Sequence, residues 1–283
     1  MANGPTAFVF AGGGSLGAVQ VGMLRALVEA GANPDLVVGS SVGAINAAYF
    51  AGAPDLAGVE RLAQIWAGLK RADIFPVSLM RLFNLLRRPD YVVEPDGLRR
   101  LVRTHLHFAN FEDARLPLHI MATDQQGMSV RLSRGPVLEA ILASAAIPGV
   151  FPTVPIDGRH LMDGAIAANT PLRLAVELGA TRIVILPTGY SCALEGPPKG
   201  VIGRTLHAIT LLIAWQLMQE LEALPESIQV HMAPALCPLN VSPYDFSAAP
   251  ELIARATQNT RQWITEGGLE RRAHAHELSA HHH

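Results

Sequence analysis

Two apolar runs that break into glycine and continue as helices set most of what this chain can become. Residues 8–24, FVFAGGGSLGAVQVGML, carry an uninterrupted apolar stretch into three glycines and then a stretch with helical periodicity. One unit later LVVGSSVGA, residues 36–44, repeats the arrangement with serines inside the glycine frame. A short continuous apolar strand, a tight loop and a helix form the repeating unit of a parallel sheet covered on both faces. The loops of such a sheet emerge at its carboxyl edge, where ligands bind. A helix starting behind each loop aims its unpaired N–H groups at that edge and favours negative charge there.

Strands are expected over 6–11, 36–40, 117–124 and 181–187, with 129–133 following the third across a turn at Gly127. Helices are expected over 15–30, 43–51 and 137–146, the last ended by Pro148. The stretch 56–107 differs in character. Ile74, Phe75, Leu79, Leu82, Phe83, Leu85 and Leu86 interleave with Arg71, Arg81, Arg87, Arg88, Arg99, Arg100 and Arg103, cut by Pro76, Pro89 and Pro95. It reads as a small helical cap inserted beside the sheet. The expected fold class is therefore three-layer α/β/α with a mainly parallel central sheet and a helical cap. With no internal repeat or long linker, one domain is expected over residues 1–270. Residues 271–283 form a polar tail whose closing histidines read as part of a purification tag.

At 283 residues with 49% hydrophobic and 16% charged residues, the chain is long and apolar enough for a substantial core. A net charge of −2 supplies no basic surface for nucleic acid, which is not expected as a partner. Two cysteines are too few for a disulfide framework, and no ligand spacing suggests a metal; no cofactor is expected. Nothing at the start reads as a signal peptide, so the expected location is cytoplasmic. The apolar stretch 205–218 is shorter than a bilayer span and is read as a buried or partner-facing helix, core being preferred to the wall of an acyl-chain groove.

Gly12, Gly14 and Gly17 satisfy G-x-G-x-x-G, the dinucleotide fingerprint, which also demands an acidic residue at the end of the second strand. Asp35 lies before that strand, at the wrong end. The strand runs instead into Gly39-Ser40-Ser41-Val42-Gly43, a G-x-S-x-G at a strand-to-helix turn, which lifts its central serine out of the sheet. Ser41 reads as a nucleophile, and N–H groups around Gly13 and Gly14 as receivers of an oxyanion.

A serine needs a proton acceptor. His105, His107, His119, His160, His207 and His231 stand in no distinguishing context, though His160 or His231 would serve a Ser-His-Asp arrangement. HLMDGAIAANTP, residues 160–171, offers Asp163 on a D-G turn that leaves the carboxylate accessible, with Asn169 or Thr170 capping the next helix.

Taken together, the glycine loop 12–17, the elbow 39–43, ATD at 122–124, ASAAIPGVFPTV at 143–154 and DGA at 163–165 followed by NTP resemble the patatin-like phospholipase family over about residues 6–187. The resemblance implies a Ser-Asp dyad: Ser41 as nucleophile, Asp163 as general base, Gly12, Gly13 and Gly14 as the oxyanion hole, with Gly17, Gly39, Gly43 and Gly164 in support. It implies a lipid ester substrate, with a general carboxylesterase or thioesterase as the alternative. A nucleotide-binding oxidoreductase and a catalytically silent lipid-binding protein stand behind these. The arginine-and-leucine cap suggests peripheral membrane contact. The family usually carries Arg or Lys two residues after the third glycine, where this chain has Leu16.

Overall fold

A computed structural model describes residues 4–75, 91–189, 200–237, 239, 241–242 and 244–275. Parallel strands β1 (Thr6–Phe10), β2 (Leu36–Ser40) and β3 (Leu118–Thr123) lie side by side, with β7 (Arg182–Leu186) and then β8 (Gln229–Met232) parallel on the other flank of β1. Three strands depart from the parallel set. β4 (Ser129–Leu132) and β6 (Arg159–Asp163) pair antiparallel with β3, and β5 (Val154–Ile156) forms a hairpin with β6. The main path runs β5-β6-β3-β2-β1-β7-β8.

The three layers follow from the period-two alternation of a buried strand. Phe8 and Phe10 of β1 join one apolar cluster with helices α1 (Gly17–Glu29), α2 (Val42–Gly52) and α3 (Leu56–Gly68). Ala7 and Val9, pointing the other way, join a second cluster with Leu172, Leu217 and Val230. Asp35 anchors the amino ends of β1 and β2, its carboxylate accepting the Thr6 N–H at 2.7 Å.

Helix α1 is buried on nearly every side from Gly17 to Leu27, enclosed by the sheet, α3 and a later helix. Within the stretch expected as an inserted cap, α3 buries Val59, Leu62, Ala63 and Trp66 in the main core. The short helices α4 (Arg71–Ile74) and α5 (Asp96–His105) come after it. Residues 76–90, with Arg81, Arg87 and Arg88, lie outside the described residues, as does the histidine run of the tail. The remaining described helices are α6 (Val137–Ser144), α7 (Ala165–Ala168), α8 (Leu172–Glu177), α9 (Gly200–Ala223) and α10 (Ala249–Thr265).

Two expectations are corrected. The apolar stretch 205–218, read as core, lies in α9, which buries Ala214 and Leu217 but leaves Leu211, Leu212 and Trp215 roughly half exposed or more. Helix α8 receives no side-chain cap from Asn169 or Thr170: its N-cap is Pro171, and the Leu172 N–H is shared between the Thr170 main-chain oxygen at 2.8 Å and Glu220 of α9 at 3.1 Å. The side-chain acceptor at this helix start comes from a neighbouring helix.

α1 and α10 pack without room between them. A Cβ at Gly22 would run into the Ile253 main-chain oxygen and lie 2.8 Å from Ala256 Cβ. Backbone cannot yield cheaply, so overpacking outweighs the helix-propensity gain of alanine. Gly22→Ala is expected to lower unfolding free energy by about 1–2 kcal/mol, read from the midpoint of urea denaturation at unchanged slope.

Candidate active site

Strand β3 is the ruler on which the two sequence-predicted side chains meet. Ser40, at the end of β2, pairs with Met121, and Asp163, at the end of β6, pairs with the next residue, Ala122. Two strands of opposite direction thus finish at neighbouring positions. Ser41 then turns the chain from β2 into α2 at φ 54° and ψ −126°, a region costly for any residue with a side chain. Gly39 and Gly43 make the turn feasible: a Cβ at Gly43 would strike the Phe10 carbonyl oxygen, and one at Gly39 would lie 2.7 Å from Ala44 N. Ser41 Oγ donates to Asp163 Oδ2 at 2.8 Å.

Both groups are enclosed, Asp163 at 4% exposure and Ser41 at 7%. The accessible D-G turn expected from the sequence is a buried strand end. Gly164 adopts ordinary right-handed helical angles and is small because a Cβ would meet the Met121 carbonyl and Ser40 Oγ. Asp163 Oδ1 accepts the Ala165 N–H at 2.9 Å. Burial pushes the Asp163 carboxyl up to about 6, against the opposing pull of the Ala165 N–H and the Ser41 hydroxyl. A carboxylate raised in this way is a better proton acceptor than a solvated one.

Three supporting side chains were not singled out in the sequence. Ser144 Oγ accepts the Ser41 N–H at 2.9 Å and donates to Met121 O at 2.5 Å, fixing the elbow to β3. Thr123 Oγ1 donates to Asp163 O at 2.8 Å and accepts the Ala167 N–H at 3.2 Å. Thr188 Oγ1 donates to Gly12 O at 2.6 Å. Ser144 and Thr123 sit inside the ASAAIPG and ATD segments; Thr188 carries no signal.

Gly12, Gly13 and Gly14 do not have equal standing. The Gly12 N–H, which the resemblance placed in the oxyanion hole with those of Gly13 and Gly14, is given to Asn169 O at 3.1 Å. Gly13 and Gly14 N–H have no hydrogen-bond acceptor among the described residues. Gly12 is small because a Cβ would lie 2.5 Å from Asn169 Oδ1 and 3.1 Å from Ser41 Cβ, and Gly14 takes φ 61°. Gly17 admits Val42 and the Trp66 ring. Leu16, where the family usually carries a cation, packs against the main apolar cluster.

No described histidine bonds to either member of the pair. His231 is buried with Nδ1 2.8 Å from Arg271 O, and exposed His160 approaches Thr153 Oγ1 at 3.4 Å. Among the described residues no three His, Cys, Asp or Glu side chains gather where a metal could bind.

The family model for patatin-like phospholipase matches residues 8–176, more than half of the chain. A patatin-like phospholipase domain-containing protein of Caenorhabditis elegans is 30% identical over 186 residues, covering 65% of this chain and 17% of that protein. Human patatin-like phospholipase domain-containing protein 6 is 28% identical over 186 residues, covering 65% of this chain and 13% of its own length. The chain therefore spans less than a fifth of these relatives. VipD from Legionella pneumophila shares the fold, at a TM-score of 0.50 and 14% identity, over 95% of this chain and 67% of VipD.

The displaced carboxyl sets a stability test. The gap between the ordinary 3.8 and about 6 corresponds to about 3 kcal/mol. The folded state holds the proton more tightly than the unfolded one, so this stabilisation is complete below about pH 4 and lost as pH rises through about 6. Asp163→Asn, which does not titrate, is expected to be more stable than the parent at pH 8 by about 1–3 kcal/mol, with the advantage closing by pH 4. Denaturation midpoints measured across that range check it.

Proposed function

The chain belongs to the patatin-like phospholipase family, and on that premise we propose that it is a serine acyl hydrolase that cleaves fatty-acyl esters of phospholipids, lysophospholipids or related lipids through an acyl-enzyme. The observation that carries the reading is the buried 2.8 Å bond from Ser41 Oγ to Asp163 Oδ2, beside two unengaged glycine N–H groups. In the first half-reaction Ser41 Oγ attacks the ester carbonyl carbon while its proton passes to Asp163 Oδ2. The carbonyl oxygen becomes negative and is received by the Gly13 and Gly14 N–H groups, with the amino end of α2 adding favourable potential. Collapse expels the alcohol, which takes the proton from Asp163. In the second half, water gives a proton to Asp163 and attacks the acyl carbon, and departure of the fatty acid returns that proton to Ser41.

Gly12 shapes the loop rather than donating from it. Gly17, Gly39, Gly43 and Gly164 are places where backbone or rings approach too closely for a side chain. The relatives' names support a lipid ester over a small polar one. Peripheral contact with a lipid surface is part of the reading. It is supported by exposed Leu211, Leu212 and Trp215 on α9 and by exposed Ile166, three residues beyond Asp163. No helix among the described residues is long and apolar enough to cross a membrane.

A fluorophosphonate probe is expected to modify Ser41 in the folded protein and to fail with Ser41→Ala; absence of labelling in the parent overturns the proposal. Asp163→Asn should lower kcat by about a thousandfold or more, since it removes the base. Because only ionised Asp163 accepts a proton, kcat/KM should rise with pH through about 6 and level off above about 7. Fatty-acid release from phospholipids, lysophospholipids, neutral glycerides and thioesters, measured side by side, assigns the substrate class. Leu212→Asp with Trp215→Asp is expected to lower turnover of vesicle-borne lipid about tenfold while sparing a soluble nitrophenyl ester.

A further inference from the structure

Beneath the glycine loop lies a chain of buried amides that the reaction does not touch. Gln20 on α1 is fully buried, and its Nε2 donates to Ala11 O at 2.8 Å and to Leu186 O at 2.9 Å. Asn46 on α2, equally buried, donates from Nδ2 to Gly17 O at 2.9 Å and to Gln20 Oε1 at 2.8 Å. Trp66 on α3 completes the chain, its indole N–H donating to Asn46 Oδ1 at 2.9 Å. Every amide orientation is determined. Reversing Gln20 would point its oxygen at two main-chain carbonyls, and an indole can only donate, so Asn46 must offer it oxygen.

The two loop carbonyls bound in this way bracket the oxyanion segment. Ala11 is the residue before Gly12, and Gly17 is the residue after Leu16. Three successive glycines have no side chains to brace against neighbours and the widest backbone freedom of any residue. Donors for a developing charge are effective only when they are already aimed. Thr188 and Asn169 secure Gly12, at the entrance of the segment; beyond the glycines Ser15 Oγ donates to Ser242 O at 3.0 Å, and Asn46 holds the Gly17 carbonyl at the far end. An apolar core would serve packing at least as well, because buried polar networks must be fully satisfied before they stabilise.

We propose that Gln20, Asn46 and Trp66 are positioning residues that clamp the glycine loop at both ends and hold the Gly13 and Gly14 N–H groups toward Ser41. The proposal rests on the reading of those two amides as oxyanion donors. It assigns α3 a part in the reaction: among the described residues Trp66 joins the loop's hydrogen bonding through Asn46, while its ring covers Gly17 and stacks on Phe246 at 6.1 Å.

Gln20→Met keeps volume and removes the bonds to Ala11 O and Leu186 O together with the acceptor of one Asn46 N–H. Trp66→Phe keeps the ring stacking, leaves Asn46 Oδ1 without its donor, and is the milder variant should the first fold poorly. Two readouts are needed, one independent of catalysis. Hydrogen–deuterium exchange is expected to accelerate in peptides covering residues 11–17 while β1 and β7 stay protected. Steady-state hydrolysis of a nitrophenyl ester, normalised to fluorophosphonate-titratable Ser41, should show kcat lower by about tenfold to a hundredfold for Gln20→Met and severalfold for Trp66→Phe, with KM within about twofold. Unchanged loop exchange in both variants overturns the clamp. Faster exchange with unchanged kcat per titrated site, or a loss confined to KM, overturns its role in the reaction. An inactive parent refutes the hydrolase reading instead, and the exchange result still decides the clamp.

Discussion

The structure turns on one buried hydrogen bond between a hydroxyl and a carboxylate that water scarcely reaches. Leaving Asp163 ionised at 4% exposure costs free energy, and the main compensations are two hydrogen bonds, from Ser41 and from the Ala165 N–H. Everything around the pair serves to hold those partners in place. Thr123 ties the end of β6 to the first turn of α7, Ser144 ties the serine elbow to β3, and the β3 register sets the two strand ends side by side. The raised basicity of Asp163 and its stability penalty have the same cause.

The two glycine segments solve different steric problems. In the elbow, glycine lets α2 sit directly on the end of β1, and the strain is carried by Ser41 itself at φ 54°. In the loop, glycine lets Asn169, Thr188 and Trp66 close in from three directions, and the strain is replaced by hydrogen bonds from side chains far along the chain. A loop with little rigidity of its own becomes rigid through partners separated from it by as many as 227 positions.

Much of this architecture was legible in advance. β1, β2, β3 and β7 lie within the apolar runs that suggested them, because strands buried in a parallel sheet are continuous hydrophobic blocks, and the half-exposed antiparallel β4 follows β3 across the turn at Gly127. β8, four residues with His231 in the middle, has no such block, and neither do β5 and β6, which form a hairpin centred on Asp157-Gly158. Helix α10 carried a usable signal in Leu252, Ile253, Ala256 and Thr260 at helical spacing. The exposed face of α9 could not be read from its composition, since a helix apolar on most sides is compatible with core or surface until its neighbours are known. The cap of α8 failed for a related reason: Glu220 lies 48 residues away from the amide it accepts.

From the sequence alone came the sheet-and-helix alternation and the serine in its glycine frame, while the carboxylate at position 163 stood out only through the family resemblance. The first two obey local rules: hydrophobic period, turn chemistry and which backbone conformations lack room for a side chain. Only the folded chain decided that Ser41 and Asp163 meet at 2.8 Å, that the carboxyl is buried and pushed up to about 6, and that the Gly12 amide is already spent on Asn169. Contacts between residues 122 positions apart depend on strand register and on what covers the site. No stretch of sequence encodes either of these locally; both are properties of the packed whole.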